Sequence, residues 1–199
     1  MTPAKAHSIV ELKEELLSFK KTPLYSYRKK NGYVPVLGDG SPDAHIVFVG
    51  EAPGKREALT GKPFAGAAGK MLDSLLTTIH LSRDDIYITN LVNDRPPENR
   101  DPNPKEIKIY SKFLLQLLSI IRPNVIVTLG RFSLSYFMET YGEKNSKATI
   151  AQLHGKRIQL HLPYGDVTLI PLYHPAFALY NGSKRIILEK DFQILTKFR

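Results

Sequence analysis

Four short apolar runs leave this chain few folds to choose from. Ile46-Val47-Phe48-Val49, Ile86-Tyr87-Ile88-Thr89, Val125-Ile126-Val127-Thr128-Leu129 and Val167 to Leu172 are short, rich in β-branched residues and nearly without polar alternation. That is the pattern of strands buried on both faces. Between them, apolar residues recur at helical spacing: Met71, Leu72, Leu75, Leu76 and Ile79, then Ile107, Tyr110, Leu114, Leu117 and Leu118 within residues 104 to 121. A further helix is predicted from Arg131 to about Tyr141. Strands alternating with helices predict right-handed βαβ units and a three-layer α/β/α fold around a central, mostly parallel, four-stranded sheet.

The ends are less regular. Ser8 followed by Glu11 resembles a capping box, and Ile9, Leu12, Leu16 and Leu17 mark a first amphipathic helix ending near Lys20. Residues 20 to 45 are basic and then turn-rich, with Lys20, Lys21, Arg28, Lys29 and Lys30 interleaved with Tyr25, Tyr27 and Tyr33. The segment reads either as a track for a phosphate backbone or as a solvated loop. Residues 150 to 162 predict a short extended excursion, and Ile186, Ile187, Phe192 and Leu195 a closing helix. With 199 residues, the expectation is a single domain over 1–199, with the helix and basic segment of about 1–36 packed on it.

Charge narrows the partner. Lys and Arg number 28 against 19 acids, and the resulting +9 favours an anionic partner, nucleic acid first because aromatic residues lie among the basic ones. The chain has no cysteine, which excludes disulfides, thiolate metal sites and cysteine nucleophiles. No apolar run approaches the roughly 18 residues of a membrane span, so no membrane partner and a cytoplasmic, nucleoid-associated location are expected.

In a parallel sheet, ligands bind beyond the carboxyl ends of the strands. Those ends carry Gly50-Glu51-Ala52-Pro53-Gly54, Asn90, Gly130-Arg131 and Tyr173-His174-Pro175. A second small-residue turn, Gly61-Lys62-Pro63-Phe64-Ala65-Gly66-Ala67-Ala68-Gly69, has Phe64 as its only large apolar side chain, placed either for stacking or for plugging the core. Asn90 and His174 taken singly also fit a strand-end cap and a buried histidine satisfied by backbone. Taken together, an acid, a carboxamide, an imidazole and an aromatic ring suit a planar heterocycle. The amide reads a donor/acceptor edge, and the imidazole donates to an oxygen gaining charge. Neither G-x-G-x-x-G nor G-x-x-x-x-G-K-[ST] occurs, which removes the usual support for a nucleotide cofactor.

These residues resemble the uracil-DNA glycosylase superfamily, most closely its family 4 branch. The resemblance rests on Gly50 to Gly54, Gly61 to Gly66, Thr89-Asn90 with Arg95-Pro96-Pro97-Glu98-Asn99-Arg100, and His174-Pro175-Ala176, in order and spacing over roughly residues 37 to 195. It implies a monofunctional DNA glycosylase of base excision repair. Such an enzyme flips uracil out of DNA and hydrolyses its bond to the sugar, leaving an abasic site; the chain is expected to act as a monomer. It implies a pocket of Gly50, Ala52, Glu57, Phe64, Asn90 and His174. In that pocket Phe64 stacks on the base, Asn90 reads its O4 and N3–H edge, His174 bonds O2, and Glu51 positions water. Where the best-known branch has an aspartate this chain has Ala52, which leaves the water-activating role of Glu51 open. Glu57 is either the acid beside the C5 position of the base or a solvated loop acid. Leu179 is either a wedge in the base stack or a core residue. Arg95, Arg100 and Arg131 are candidate phosphate contacts.

One departure is large. Family 4 members typically hold a four-iron, four-sulfur cluster through four cysteines, and here Phe19, Thr22, Asp94 and Tyr110 fall at those positions. The expectation is no cofactor, with that corner packed by Phe19 and Tyr110. Rival readings are a non-catalytic damaged-DNA-binding module, a glycosylase preferring another deaminated base, and a hydrolase of free nucleosides.

Overall fold

The computed structural model describes residues 3–142 and 148–198. In chain order its elements are helices α1 (Pro3–Ser18) and α2 (Tyr25–Lys30), strands β1 (Asp39–Gly40) and β2 (Ile46–Gly50), and helices α3 (Lys55–Thr60) and α4 (Ala67–Thr78). Strand β3 (Tyr87–Asn90), helix α5 (Pro104–Ile121), strand β4 (Val125–Leu129) and helix α6 (Arg131–Tyr141) follow. Helix α7 (Ile150–Leu153), the hairpin β5 (Ile158–Leu162) and β6 (Gly165–Leu172), and helix α8 (Gly182–Phe192) complete the chain.

The sheet corrects the expectation of four strands. It has six, in the order β1-β3-β2-β4-β6-β5. The four predicted strands form its parallel centre, and β1 and β5 pair antiparallel at the two edges. Both additions have a weak sequence signal. β1 is two residues long, and β5 alternates exposed and buried positions as an edge strand does, so neither reads as a continuous apolar run.

Side-chain alternation divides the core into two layers, one on each face of the sheet. Val47, Val49, Ile126, Val167 and Leu169 face α1, α5 and α6, joining Leu12, Leu16, Leu114, Leu117 and Phe137. Ile46, Phe48, Val125, Val127, Ile170 and Leu172 face α4 and α8, joining Leu72, Leu75, Leu76, Leu188 and Phe192. This is the expected three-layer α/β/α arrangement. Because a register slip of one residue would exchange the two faces, the alternation fixes how the strand ends align.

Local signals explain the element boundaries. Helix α5 starts at Pro104 behind Asn103, whose Oδ1 accepts from the Glu106 N–H at 2.9 Å while Glu106 Oε2 accepts from the Asn103 N–H at 2.9 Å. It stops at Arg122, left-handed at φ 54 and followed by Pro123. The expected cap at Ser8 is corrected: α1 is already helical at Pro3, so Ser8 lies inside it. Residues 20 to 45 are also more regular than expected, since they contain α2.

Helix α4 opens at Gly66 and presses its first turn against the Phe64 turn. A Cβ on Gly69 would lie 1.6 Å from the Phe64 carbonyl oxygen. Because the obstacle is backbone, Gly69→Ala is expected to destabilise by about 3 kcal/mol, at the upper end of overpacking costs. Urea unfolding checks this, and a loss well under 1 kcal/mol contradicts it.

Candidate active site

Strand pairing does the first part of the assembly. In the parallel ladder Gly50 of β2 lies beside Asn90 of β3. Past the strand ends the Leu91 N–H donates to the Gly50 carbonyl and the Val92 N–H to the Glu51 carbonyl, each at 3.0 Å. A Cβ at Gly50 would stand 2.4 Å from Asn90 Oδ1 and 3.0 Å from the Phe64 ring. The glycine is what lets carboxamide and ring close over the strand end. Beyond it opens a cavity of about 390 Å³ lined by Glu51, Ala52, Gly54 and Glu57 from one side, Phe64 and Ala68 from another, and Asn90, Asn99, His174 and Ala176. Of the four strand ends expected to converge, the Glu51 loop, Asn90 and His174 line this cavity together with the Phe64 turn, whereas Gly130-Arg131 is not among its lining residues.

Phe64 is 6% exposed and its ring stacks on that of His174, with centroids 5.5 Å apart and planes 27° from parallel. Its backbone is left-handed at φ 49, a conformation that needs support in a residue with a Cβ. Two side chains supply that support. Glu57 Oε1 accepts the N–H groups of Ala65 and Gly66 at 2.8 and 2.9 Å, so Glu57 is no solvated loop acid but the inner clasp of the turn. From behind, Arg83 Nη1 donates to the Pro63 carbonyl at 3.0 Å and Nη2 to the Phe64 carbonyl at 2.7 Å, while Nε pairs with Asp73 at 2.6 Å. Sequence reasoning missed Arg83 and Asp73, which lie outside every motif.

Asn90 is 3% exposed, and its carboxamide has no hydrogen-bond partner among the described residues. Buried amides are ordinarily paired, so its donor and acceptor stand ready for something that enters the cavity. His174, half-buried, lines the same cavity. Its Nδ1 accepts from the Ala176 N–H at 3.2 Å, which leaves the proton of the neutral ring on Nε2. Desolvation pushes its pKa down to about 4, with the nearby Glu57 opposing the shift. Glu51 is half-buried, and its pKa is raised, first by burial and then by Asp101, against a lowering from Arg131.

The remaining sequence candidates divide. Arg95 is engaged internally: Nη1 donates to the Tyr33 and Tyr27 hydroxyls at 2.9 and 3.4 Å, and Nε to Asn99 Oδ1 at 2.8 Å. Arg100 holds both Glu106 oxygens at 2.9 and 2.6 Å. Arg131 pairs with Asp101, and with both partners more than 60% exposed it is the arginine freest to exchange for a phosphate. Leu179 is half-buried, whereas the next residue, Tyr180, stands 96% exposed. Asn99, which sequence reasoning named only within a motif, is part of the cavity wall. Its one signal is the pair Glu98-Asn99, both left-handed at φ 54 and 55.

The four positions aligned with cluster cysteines do not fit an iron–sulfur group. They supply no thiolate, and their polar atoms are spent on one another. Tyr110 OH donates to Asp94 Oδ2 at 2.6 Å and Thr22 Oγ1 to the same oxygen at 3.4 Å. Phe19 packs edge-on against Phe113 at 5.7 Å.

The His174 shift has a measurable sign. Its folded pKa lies below the usual 6.5, so folding opposes protonation, and stability is lost as pH falls from about 6.5 towards about 4. Imidazole NMR is expected to give a midpoint near pH 4, with the Nε2–H form above it. A midpoint at the ordinary value contradicts the enclosed site.

Comparison with known proteins agrees with this geometry. The uracil DNA glycosylase superfamily matches residues 37–197. A type-4 uracil-DNA glycosylase of Sulfurisphaera tokodaii is 44% identical over 187 residues, which is 94% of this chain and 82% of that protein. A type-4 enzyme of Archaeoglobus fulgidus is 42% identical, covering 94% of this chain and 90% of its own length. A type-5 enzyme of Thermus thermophilus is 34% identical over 70% of this chain and 68% of its own. A cavity built on the ends of parallel strands and a match that spans those strands place this chain in the uracil DNA glycosylase superfamily.

Proposed function

We propose that the chain, as one domain and one subunit, is a monofunctional uracil-DNA glycosylase of base excision repair that works in the cytoplasm at the nucleoid without an iron–sulfur cluster. The observation that carries this is the carboxamide of Asn90, without a hydrogen-bond partner among the described residues, which lines one cavity of about 390 Å³ together with Phe64 and His174. A neutral base fits such a site better than a phosphate, since Glu51 and Glu57 line the same walls.

The reaction follows from the side chains. The target nucleotide leaves the helix, because its glycosidic bond is unreachable inside a duplex. Phe64 stacks on the base. Asn90 Nδ2 donates to O4 and Oδ1 accepts from N3–H. Cytosine presents the opposite pattern at both positions and leaves the buried amide unpaired, a mismatch worth roughly 10⁴-fold in discrimination. Glu57 stands beside C5, where the methyl group of thymine would have to fit. As the bond from N1 to C1′ breaks, its electron pair passes into the ring, and His174 Nε2–H donates to the O2 that gains the charge. Water bonds to C1′ and its proton goes to Glu51, leaving free base and an abasic sugar. Among the described residues no lysine lines the cavity to form a covalent link, which favours hydrolysis without strand cleavage. Ala52 lies against the base, Gly50 serves by leaving room for Asn90 and Phe64, Arg131 exchanges Asp101 for a phosphate, and Arg95 and Arg100 keep their internal partners.

Incubation with a uracil-containing oligonucleotide, followed by hot alkali, tests the reading. Scission that depends on both uracil and alkali is expected. Binding without scission would instead support a damage-recognition module. Asn90→Ala and His174→Ala are each expected to slow uracil release by about 10²- to 10³-fold in folded protein, and near-normal rates in both overturn the mechanism.

The pH profile adds a separate check. Glu51 acts only when ionised and its pKa is raised above 4.5, so kcat should fall with decreasing pH at a midpoint above that value. Glu51→Gln should remove the limb together with most of the activity, and an unchanged limb assigns the base elsewhere.

A further inference from the structure

Beneath the loop that follows β3 lies an ion pair that the reaction above leaves unused. Arg28 of α2 and Asp94 are 2% and 1% exposed, and Arg28 Nη1 sits 3.2 Å from each Asp94 oxygen. The other guanidinium nitrogen, Nη2, donates to the carbonyl of Leu17 in the last turn of α1 at 3.0 Å. Tyr110 of α5 and Thr22 donate to Asp94 Oδ2 from two further directions. Three segments of the chain thus converge on one carboxylate, and Arg28 ties a fourth, the end of α1, to it. Burial raises the pKa of Asp94, opposed by the Tyr110 hydroxyl and by Arg28. Removing two charges from water is costly, and apolar residues of similar volume commonly stabilise a core as well or better. Net stability therefore does not account for the arrangement.

Position does. The next residue is Arg95, and its guanidinium reaches Tyr27 and Tyr33 on one side and Asn99 Oδ1 on the other. Asn99 lines the cavity and, with Glu98, holds a left-handed backbone, which asparagine tolerates and which is uncommon for glutamate. Helix α2 supplies both anchors, Arg28 to Asp94 and Tyr27 to Arg95. Both anchors therefore connect α2, through Arg95, to Asn99 in the cavity wall.

We propose that the Arg28–Asp94 pair, fixed by Tyr110 and Thr22, is a positioning device that sets Arg95 and, through it, Asn99 against the extruded nucleotide. This rests on the glycosylase reading. It gives the corner aligned with the cluster cysteines a definite role, in which an ion pair locks the N-terminal segment to the active-site loop. Asn99 Oδ1 is committed to Arg95, so its Nδ2 is the end left to donate.

The test is a double-mutant cycle, measured well below each variant's unfolding midpoint. Asp94→Asn is expected to lower kcat/KM about tenfold, since displacements near 1 Å can cost more than that. Arg95→Ala should cost a similar factor, and the double variant should be no more than about twofold worse than Arg95→Ala alone. Additive losses, or full activity in folded Asp94→Asn, overturn the proposal. Should Asp94→Asn fail to fold, Tyr110→Phe removes one hydrogen bond and keeps both charges, and it should show the same non-additivity with a smaller loss; its full activity also overturns the proposal. A readout independent of turnover is NMR of the Arg95 Nε–H and the Asn99 carboxamide. Both should shift in Asp94→Asn, and unchanged signals overturn the link. Wild-type protein from iron-replete growth is expected to be colourless and insensitive to chelator, and stoichiometric iron overturns the assignment of this corner. Wild-type protein that releases no uracil would fail the glycosylase reading instead, with the NMR result still deciding the link.

Discussion

The approach of Gly50 to Asn90 is the contact on which the site depends. It is made by the register of two parallel strands, and that register is set by which residues of β2 and β3 the two core layers accept. A methyl group at position 50 would meet the Asn90 oxygen at 2.4 Å, so one missing side chain decides whether the carboxamide sits over the strand end or is pushed out of it. The hydrogen bonds from Leu91 and Val92 to the Gly50 and Glu51 carbonyls extend the ladder past the strands and carry the same precision to the acid. Groups placed by backbone ladders keep their geometry better than groups on free loops, which is what a reaction sensitive to small displacements needs.

The aromatic wall is held in another way. Phe64 stands on a turn with an unfavourable backbone conformation, and the turn is gripped from both sides. Glu57 takes its N–H groups, and Arg83 takes its carbonyls while Asp73 holds the guanidinium. The N–H groups of Ala65 and Gly66 and the carbonyls of Pro63 and Phe64 are thereby matched to side chains of opposite character. The stack of Phe64 on His174 then joins the turn directly to the segment that follows β6.

The central strands and the rim were legible in the sequence because both follow from local pattern: uniform apolar runs mark buried parallel strands, and ligands gather at their carboxyl ends. The edge strands were not, since β1 is two residues long and β5 looks like an ordinary polar alternation. Side-chain partners were harder still. Arg95 and Arg100 read as candidate phosphate contacts in a proline-rich loop, but Tyr33 and Glu106 take them, and the partners of Arg83 and Asp94 lie on other elements. Pairing of this kind is decided by tertiary geometry, and no spacing rule reaches it. Leu179 read as either a wedge or a core residue; the structure leaves it half-buried, with Tyr180 beside it as the projecting side chain.

The charge distribution separates attraction from chemistry. A net charge of +9 draws the chain to DNA, yet the cavity is lined by Glu51 and Glu57, and the histidine within it is kept neutral. In the proposed reaction this division has a purpose. As the glycosidic bond breaks, positive charge develops on the sugar and negative charge on the base. A carboxylate on the sugar side and a neutral N–H donor on the base side oppose neither. A cationic imidazole would hold a phosphate or a neighbouring carboxylate as readily as the departing base, whereas a desolvated neutral ring interacts strongly only once O2 has become anionic. The same desolvation that lowers the pKa of His174 therefore directs its hydrogen bond towards the transition state rather than the ground state.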